Sequence, residues 1–147
     1  MNVDIIALVV AIGAFILSVM QTIWGYRRQK REATLKAYYE LQDDSIYPLH
    51  CLLKTYKSNP FEKGSEEWDK VTNCLTKIEN FSVGINSGIY SLFTLNRLGG
   101  GFVLKLYQEV SPIIQIKRLD ATRKHYDEFE LMVKRLTKLC SKRNNAQ

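Results

Sequence analysis

The sequence predicts an all-α chain: one N-terminal transmembrane helix followed by a small cytosolic helical bundle. Three observations lead there. The stretch from Ile5 to Met20 holds no charged side chain, and Trp24 and Tyr26 close the apolar run just before Arg27, Arg28, Lys30 and Arg31. Beyond it, apolar residues recur at steps of three and four, and Trp68, Val71, Leu75, Ile78, Ser82 and Ile85 form the longest such series. No segment alternates apolar and polar residues as a half-buried strand does.

The first element is Ile5–Tyr26. As a helix it rises about 33 Å, against a hydrocarbon core of about 30 Å. Trp24 and Tyr26 stand where interfacial aromatics belong. A cleaved signal peptide carries its positive charge ahead of the apolar run, whereas here the charge follows it and bulky aromatics fill the cleavage region. The basic cluster downstream, with only Asp4 and the amino terminus upstream, places the N-terminus outside and the rest in the cytoplasm. The expected location is the inner (plasma) membrane of a prokaryote, crossed once. The division follows: residues 1–26 as a signal-anchor helix, 27–44 as a basic juxtamembrane helix, 45–147 as the cytosolic domain.

The chain has 147 residues and a net charge of +6. Glu32 to Asn96 is acidic on balance, at −3, and Arg97 to Gln147 carries +6. A solvated surface accounts for such an excess, and so does an anionic partner. Cys51, Cys74 and Cys140 are scattered and odd in number, which suits a reducing compartment. His50 and His125 share no metal-ligand spacing. Neither a metal, a cofactor nor a catalytic set can be assembled, so an enzyme is disfavoured.

The remaining elements follow in order. The membrane helix runs on to about Leu41. Asp43, Asp44 and Ser45 offer a break and a new N-cap, with Pro48 in the first turn of a helix whose apolar face is Leu49, Leu52, Leu53 and Tyr56. Lys57–Glu67 is a loop, and Ser65 caps the helix that begins with Glu66 and Glu67. Gly84 and Gly88 permit close packing or a sharp turn. A short helix over Ile89–Leu98 is interrupted by Gly99–Gly101, resumes at Phe102 and bends or restarts at Pro112. A last helical segment covers about Ile113–Lys142, with His125, Phe129, Met132, Leu136 and Leu139 as its seam.

Phe81, Gly84-Ile85, Gly88-Ile89-Tyr90, Tyr107, Pro112-Ile113-Ile114 and the end near Arg118 form a pattern that resembles a family of small uncharacterised helical proteins of bacteria and phages. That resemblance implies a helical fold and a membrane anchor. In architecture alone, the chain also resembles the small membrane effectors of prokaryotic antiviral defence, including those that accompany CRISPR systems. This second resemblance implies a cyclic oligonucleotide ligand such as a cyclic oligoadenylate and an action on the lipid bilayer; because one span cannot make a pore alone, that action calls for a homo-oligomer such as a tetramer.

The candidate ligand site is Asn96, Arg97, Gly99, Gly100, Gly101, Lys105 and Arg118. Three glycines expose backbone N–H groups, and a helix beginning near Phe102 would aim its positive end at an anion. Asn86 or Asn96 would read a base or ribose. A plain helix–helix turn explains the same glycines. A basic face at Lys117, Arg118, Arg123 and Lys124, with Tyr107 and Tyr126 to stack on bases, is the second candidate, against a solvated surface. The expected function is a membrane effector that senses an anionic signal. The alternative is a membrane-tethered adaptor that binds protein.

Overall fold

The computed structural model describes residues 2–58, 60–119 and 125–144, with side chains for 5–58, 60–119 and 125–141. Among the described residues every regular element is helical. Helix α1 spans Asn2–Leu41, a π-helical stretch covers Gln42–Ile46, and α2 spans Tyr47–Ser58. Helix α3 is Glu66–Asn86, α4 Leu92–Leu119 and α5 Asp127–Asn144.

From Ile5 to Ser58 the chain is one continuous helix of 54 residues, long and apolar enough at its start to cross a membrane. The side chains from Ile5 to Tyr26 are exposed, Phe15 and Trp24 most of all. Burial begins past the basic cluster: Thr34, Tyr38 and Leu41 enter the core. The stretch 27–44 is therefore two things, an exposed basic collar and then a packed part of the bundle.

The expected break and N-cap at Asp43–Ser45 do not form. Ser45 is buried, and no side chain caps the stretch. The helix widens instead, with the Tyr47 N–H donating to the Gln42 carbonyl, five residues back. Pro48 explains the position: it has no N–H for the Asp44 carbonyl, and its ring crowds that oxygen in a regular α-helix. A π-turn just before the proline relieves both problems without ending the helix.

Helix α3 keeps the predicted seam. Trp68, Val71, Leu75, Ile78, Ser82 and Ile85 are all buried, with Cys74 and Phe81. Ser65 caps it, its Oγ accepting from the Trp68 N–H at 3.2 Å. The chain reverses through Ser87–Ser91. Gly88 has φ +84°, a left-handed conformation that glycine adopts without penalty. Tyr90 lies over Gly84, where a Cβ would meet its ring, and stacks on Phe81 at 5.3 Å.

Helix α4 corrects the expectation of a glycine loop. It runs from Leu92 through all three glycines and Pro112, with only a kink at Gly99 (φ −168°, ψ 26°). Leu95, Val103, Leu106 and Val110 lie in one core seam, and their burial carries the helix across the weak residues. Ile89 and Tyr90 precede the helix rather than open it, and Ile113 and Ile114 belong to its far half. Helix α5 starts at Asp127, so His125 is exposed and outside the seam, whereas Phe129, Met132 and Leu136 fill the core.

The four segments alternate in direction. Lys57 of α2 reaches Glu109 of α4, and the Lys117 ammonium lies 5.8 Å from the Trp68 ring at the start of α3. Tyr107 meets Phe129 edge-on at 5.1 Å, and Cys140 reaches Asn96. The packed part of α1 with α2, and α4, thus run away from the apolar helix, while α3 and α5 run back. The Ser87–Ser91 turn and the end of α5 lie at the proximal end of the bundle, from which the apolar half of α1 projects.

Candidate functional site

The residues expected to form one ligand site are spread over the length of α4. Arg97 and Arg118 are separated by about 30 Å of helix, so they cannot hold one small ligand.

Arg118 is a structural residue. Its Nε donates to the His125 carbonyl at 2.9 Å, and its Nη2 reaches Asp127 at 3.1 Å and Glu130 at 2.8 Å. Burial pulls its pKa down, but the hydrogen bond and charge of Glu130, with Asp127, more than reverse this, and the guanidinium is held above its ordinary value. Lys134 and Arg118 in turn hold the Glu130 carboxyl below the usual range. These contacts fasten the start of α5 to the end of α4. Arg123 and Lys124, the rest of the expected basic face, lie outside the described residues. Tyr126 is buried with φ +64°, and Tyr107 is packed on Phe129, so neither ring offers a face to a base.

The glycines do not present a donor loop. Gly100 is buried with Asn96 and Leu136 against it, and Gly99 faces the Tyr38 hydroxyl. Phe102 is inside a helix, so the expected helix start there is absent. The carboxamide of Asn96 accepts from the Cys140 thiol at 3.2 Å. That of Asn86 donates to the Glu128 carbonyl at 2.8 Å and accepts from Arg135 at 3.0 Å. Both are engaged within the bundle. Lys105 is exposed and acts at a distance on Glu109, whose carboxyl is lowered first by its hydrogen bond to Lys57.

Arg97 alone keeps the character expected of it. It is exposed, its guanidinium carbon 6.0 Å from the centre of the Phe93 ring. With Arg31, Leu35, Phe93, Thr94 and Leu98 it lines an open groove of about 260 Å³ between α1 and α4. The groove exists because Thr34 ties the two helices together just beside it: its Oγ1 accepts from the Ser91 N–H at 2.8 Å and donates to the Lys30 carbonyl at 2.7 Å. Neither Arg31 nor Arg97 has a carboxylate partner among the described residues. Two guanidinium groups over an aromatic and aliphatic floor suit an anion with an apolar neighbour.

Sequence reasoning named Arg97 but not Arg31, which in the sequence reads only as one of the cations following the apolar run. It also missed Glu79, whose carboxylate accepts from the Glu128 and Phe129 N–H groups at 3.0 and 2.7 Å. That is an N-cap for α5 supplied from α3, and no local pattern announces it.

No curated protein and no solved structure matches the chain, and nothing in these comparisons links it to the CRISPR-associated effectors. Residues 8–136 match the family described as Domain of unknown function (DUF4760), and the chain belongs to that family.

Proposed function

We propose that this is a single-pass protein of a prokaryotic plasma membrane, with its amino terminus outside and its bundle in the cytoplasm, acting as a non-enzymatic antiviral-defence effector. The bundle binds an anionic signal in the groove between Arg31 and Arg97, with a cyclic oligoadenylate as the first ligand to try. The observation that carries this reading is continuity. One helix runs unbroken from the apolar segment into the core, and it forms one wall of the groove, with α4 as the other. A ligand held there touches both helices. If it prefers one setting of α1 against α4, that preference passes to the membrane segment, and without such a preference nothing is transmitted.

A groove of about 260 Å³ admits a phosphate and part of a sugar, not a whole cyclic oligonucleotide. The ligand is therefore shared, and a homo-tetramer offers one groove per phosphate. Its spans repack on binding and disturb the bilayer. The competing reading is a membrane-tethered adaptor, favoured by the exposed apolar side chains Val83 on α3 and Leu131 on α5.

Calorimetry of the full chain in detergent with cyclic tri-, tetra- and hexa-adenylate separates the two. The effector reading expects heat with at least one of them, weakening as salt rises, and no binding by Arg97→Ala. A charge-assisted contact is worth about 1.5–3 kcal/mol, and its loss recurs in every subunit. No heat from folded protein at low salt would leave the adaptor.

A further inference from the structure

We infer that the proximal end of the bundle is a lipid-docking ledge: Ile89 and Phe93 enter the membrane interface, and Lys30, Arg31 and Arg97 meet the phosphates of anionic lipid headgroups. This rests on the anchoring half of the proposed function, and at Arg31 and Arg97 the headgroup phosphate and the anionic signal compete for the same groove.

Height is the first argument. The Ser87–Ser91 turn lies between the levels of Lys30 and Thr34: a Cβ on Gly88 would sit 3.9 Å from the Lys30 ammonium, and the Ser91 N–H bonds Thr34. From Tyr26, at the edge of the apolar run, to Lys30 is about 6 Å of helix, and to Thr34 about 12 Å. A headgroup layer is about 5–8 Å thick on each side of the hydrocarbon. The turn therefore spans the outer edge of that layer, and the Phe93 and Arg97 side chains, which a helix tilts toward its own N-terminus, reach back toward it, Arg97 lining one groove with Arg31.

Chemistry is the second argument. Ile89 is 63% and Phe93 61% exposed, although Tyr90 and Leu92 between them pack on the core. Two large apolar side chains left bare beside cations that have no carboxylate partner among the described residues match an interface in which apolar groups sink and cations remain with phosphate. The contrast with Arg118, neutralised by two carboxylates at the distal end, is direct. A basic residue at an anionic surface gains about 1 kcal/mol, a factor of about five.

The experiment uses the full chain in nanodiscs of phosphatidylcholine, with or without a fraction of phosphatidylglycerol, read by hydrogen exchange. The expected result is slower exchange of the Gly88–Thr94 amides, on the order of tenfold, in the anionic discs only. That protection should be lost in Ile89→Ser/Phe93→Ser and reduced in Arg97→Gln, with the rest of the bundle exchanging as before. Equal exchange in both lipids, from protein that remains inserted, overturns the ledge and leaves the anchor standing. Protection that follows the number of copies per disc rather than lipid charge assigns the face to a second copy, and overturns the lipid. Protein that is not retained by the discs overturns the anchor and the ledge together.

Discussion

Replacing Gly99 by alanine tests the joint between the N-terminal helix and α4. A Cβ there would land on the Tyr38 hydroxyl oxygen and 3.0 Å from the ring carbon that bears it. Tyr38 is buried, and its ring has Phe81 at 6.5 Å and Tyr39 at 6.2 Å, so it has little room to retreat. Overpacking of this kind costs about 1–3 kcal/mol. The usual gain of alanine over glycine in a helix, up to about 1 kcal/mol, is largely forfeited, because the backbone at Gly99 is not helical. A net loss of about 1–2 kcal/mol follows, or roughly 4–8 °C in Tm for a domain of this size. The second half of the test is Tyr38→Phe, which removes the oxygen that clashes. In the double variant at least half of the Gly99→Ala loss should return, a coupling of about 1 kcal/mol. Thermal melts of the detergent-solubilised chain, followed by circular dichroism, give all four values. Strictly additive losses, or a Gly99→Ala protein as stable as the wild type, would refute this account of the joint.

Glu79→Ala should cost about 2 kcal/mol, because two N–H groups at the start of α5 lose a charged acceptor; an unmoved urea midpoint would contradict it. Ser65→Ala should cost about 1 kcal/mol through loss of the α3 cap, checked in the same titration. Because Glu130 is held below its ordinary value of 4.5, the stabilisation it gives is complete above that pH. It declines as pH falls through the lower, folded value, and Glu130→Gln should flatten the acid limb of a Tm-versus-pH curve. For the proposed topology, Cys51 is the reporter, since it is exposed while Cys74 is buried: an impermeant maleimide should label it only after permeabilisation, and labelling in intact cells would overturn the proposed orientation.

The parts of the fold that were legible in the sequence are those whose cause is local. The α3 seam follows from helical periodicity, and the Ser65 cap from one hydroxyl ahead of two glutamates. The apolar run announces itself by composition. What failed did so because tertiary burial outweighed local preference. Asp43, Asp44 and Ser45 carry good capping chemistry, yet Ser45 and Ile46 are drawn into the core, and the helix continues. Gly99–Gly101 look like a break, yet Leu95 on one side and Val103 and Leu106 on the other share a seam that spans them. Arg118 looked available because the carboxylates that claim it, Asp127 and Glu130, arrive only after the chain has reversed. Arg97 was named for its place beside the glycines, but the groove it lines needed α1 beside it.

The π-turn at Gln42–Ile46 also sets the phase of everything after it. In an ideal α-helix each residue advances about 100°, and Tyr38 and Leu41 fall within about 40° of Thr34. Counted onward without interruption, Ile46, Leu49 and Leu53 would drift about 60–120° from that line. The extra residue of the π-turn takes back about one step, returning all three to within about 40° of it, where they are buried. The stretch is in effect a one-residue insertion absorbed by the helix. Shortening Gln42–Ser45 by one residue leaves the buried stripe continuous, whereas lengthening it by one swings α2 off the core. The packed end of α1 and α2 are thus geared to each other by a single residue.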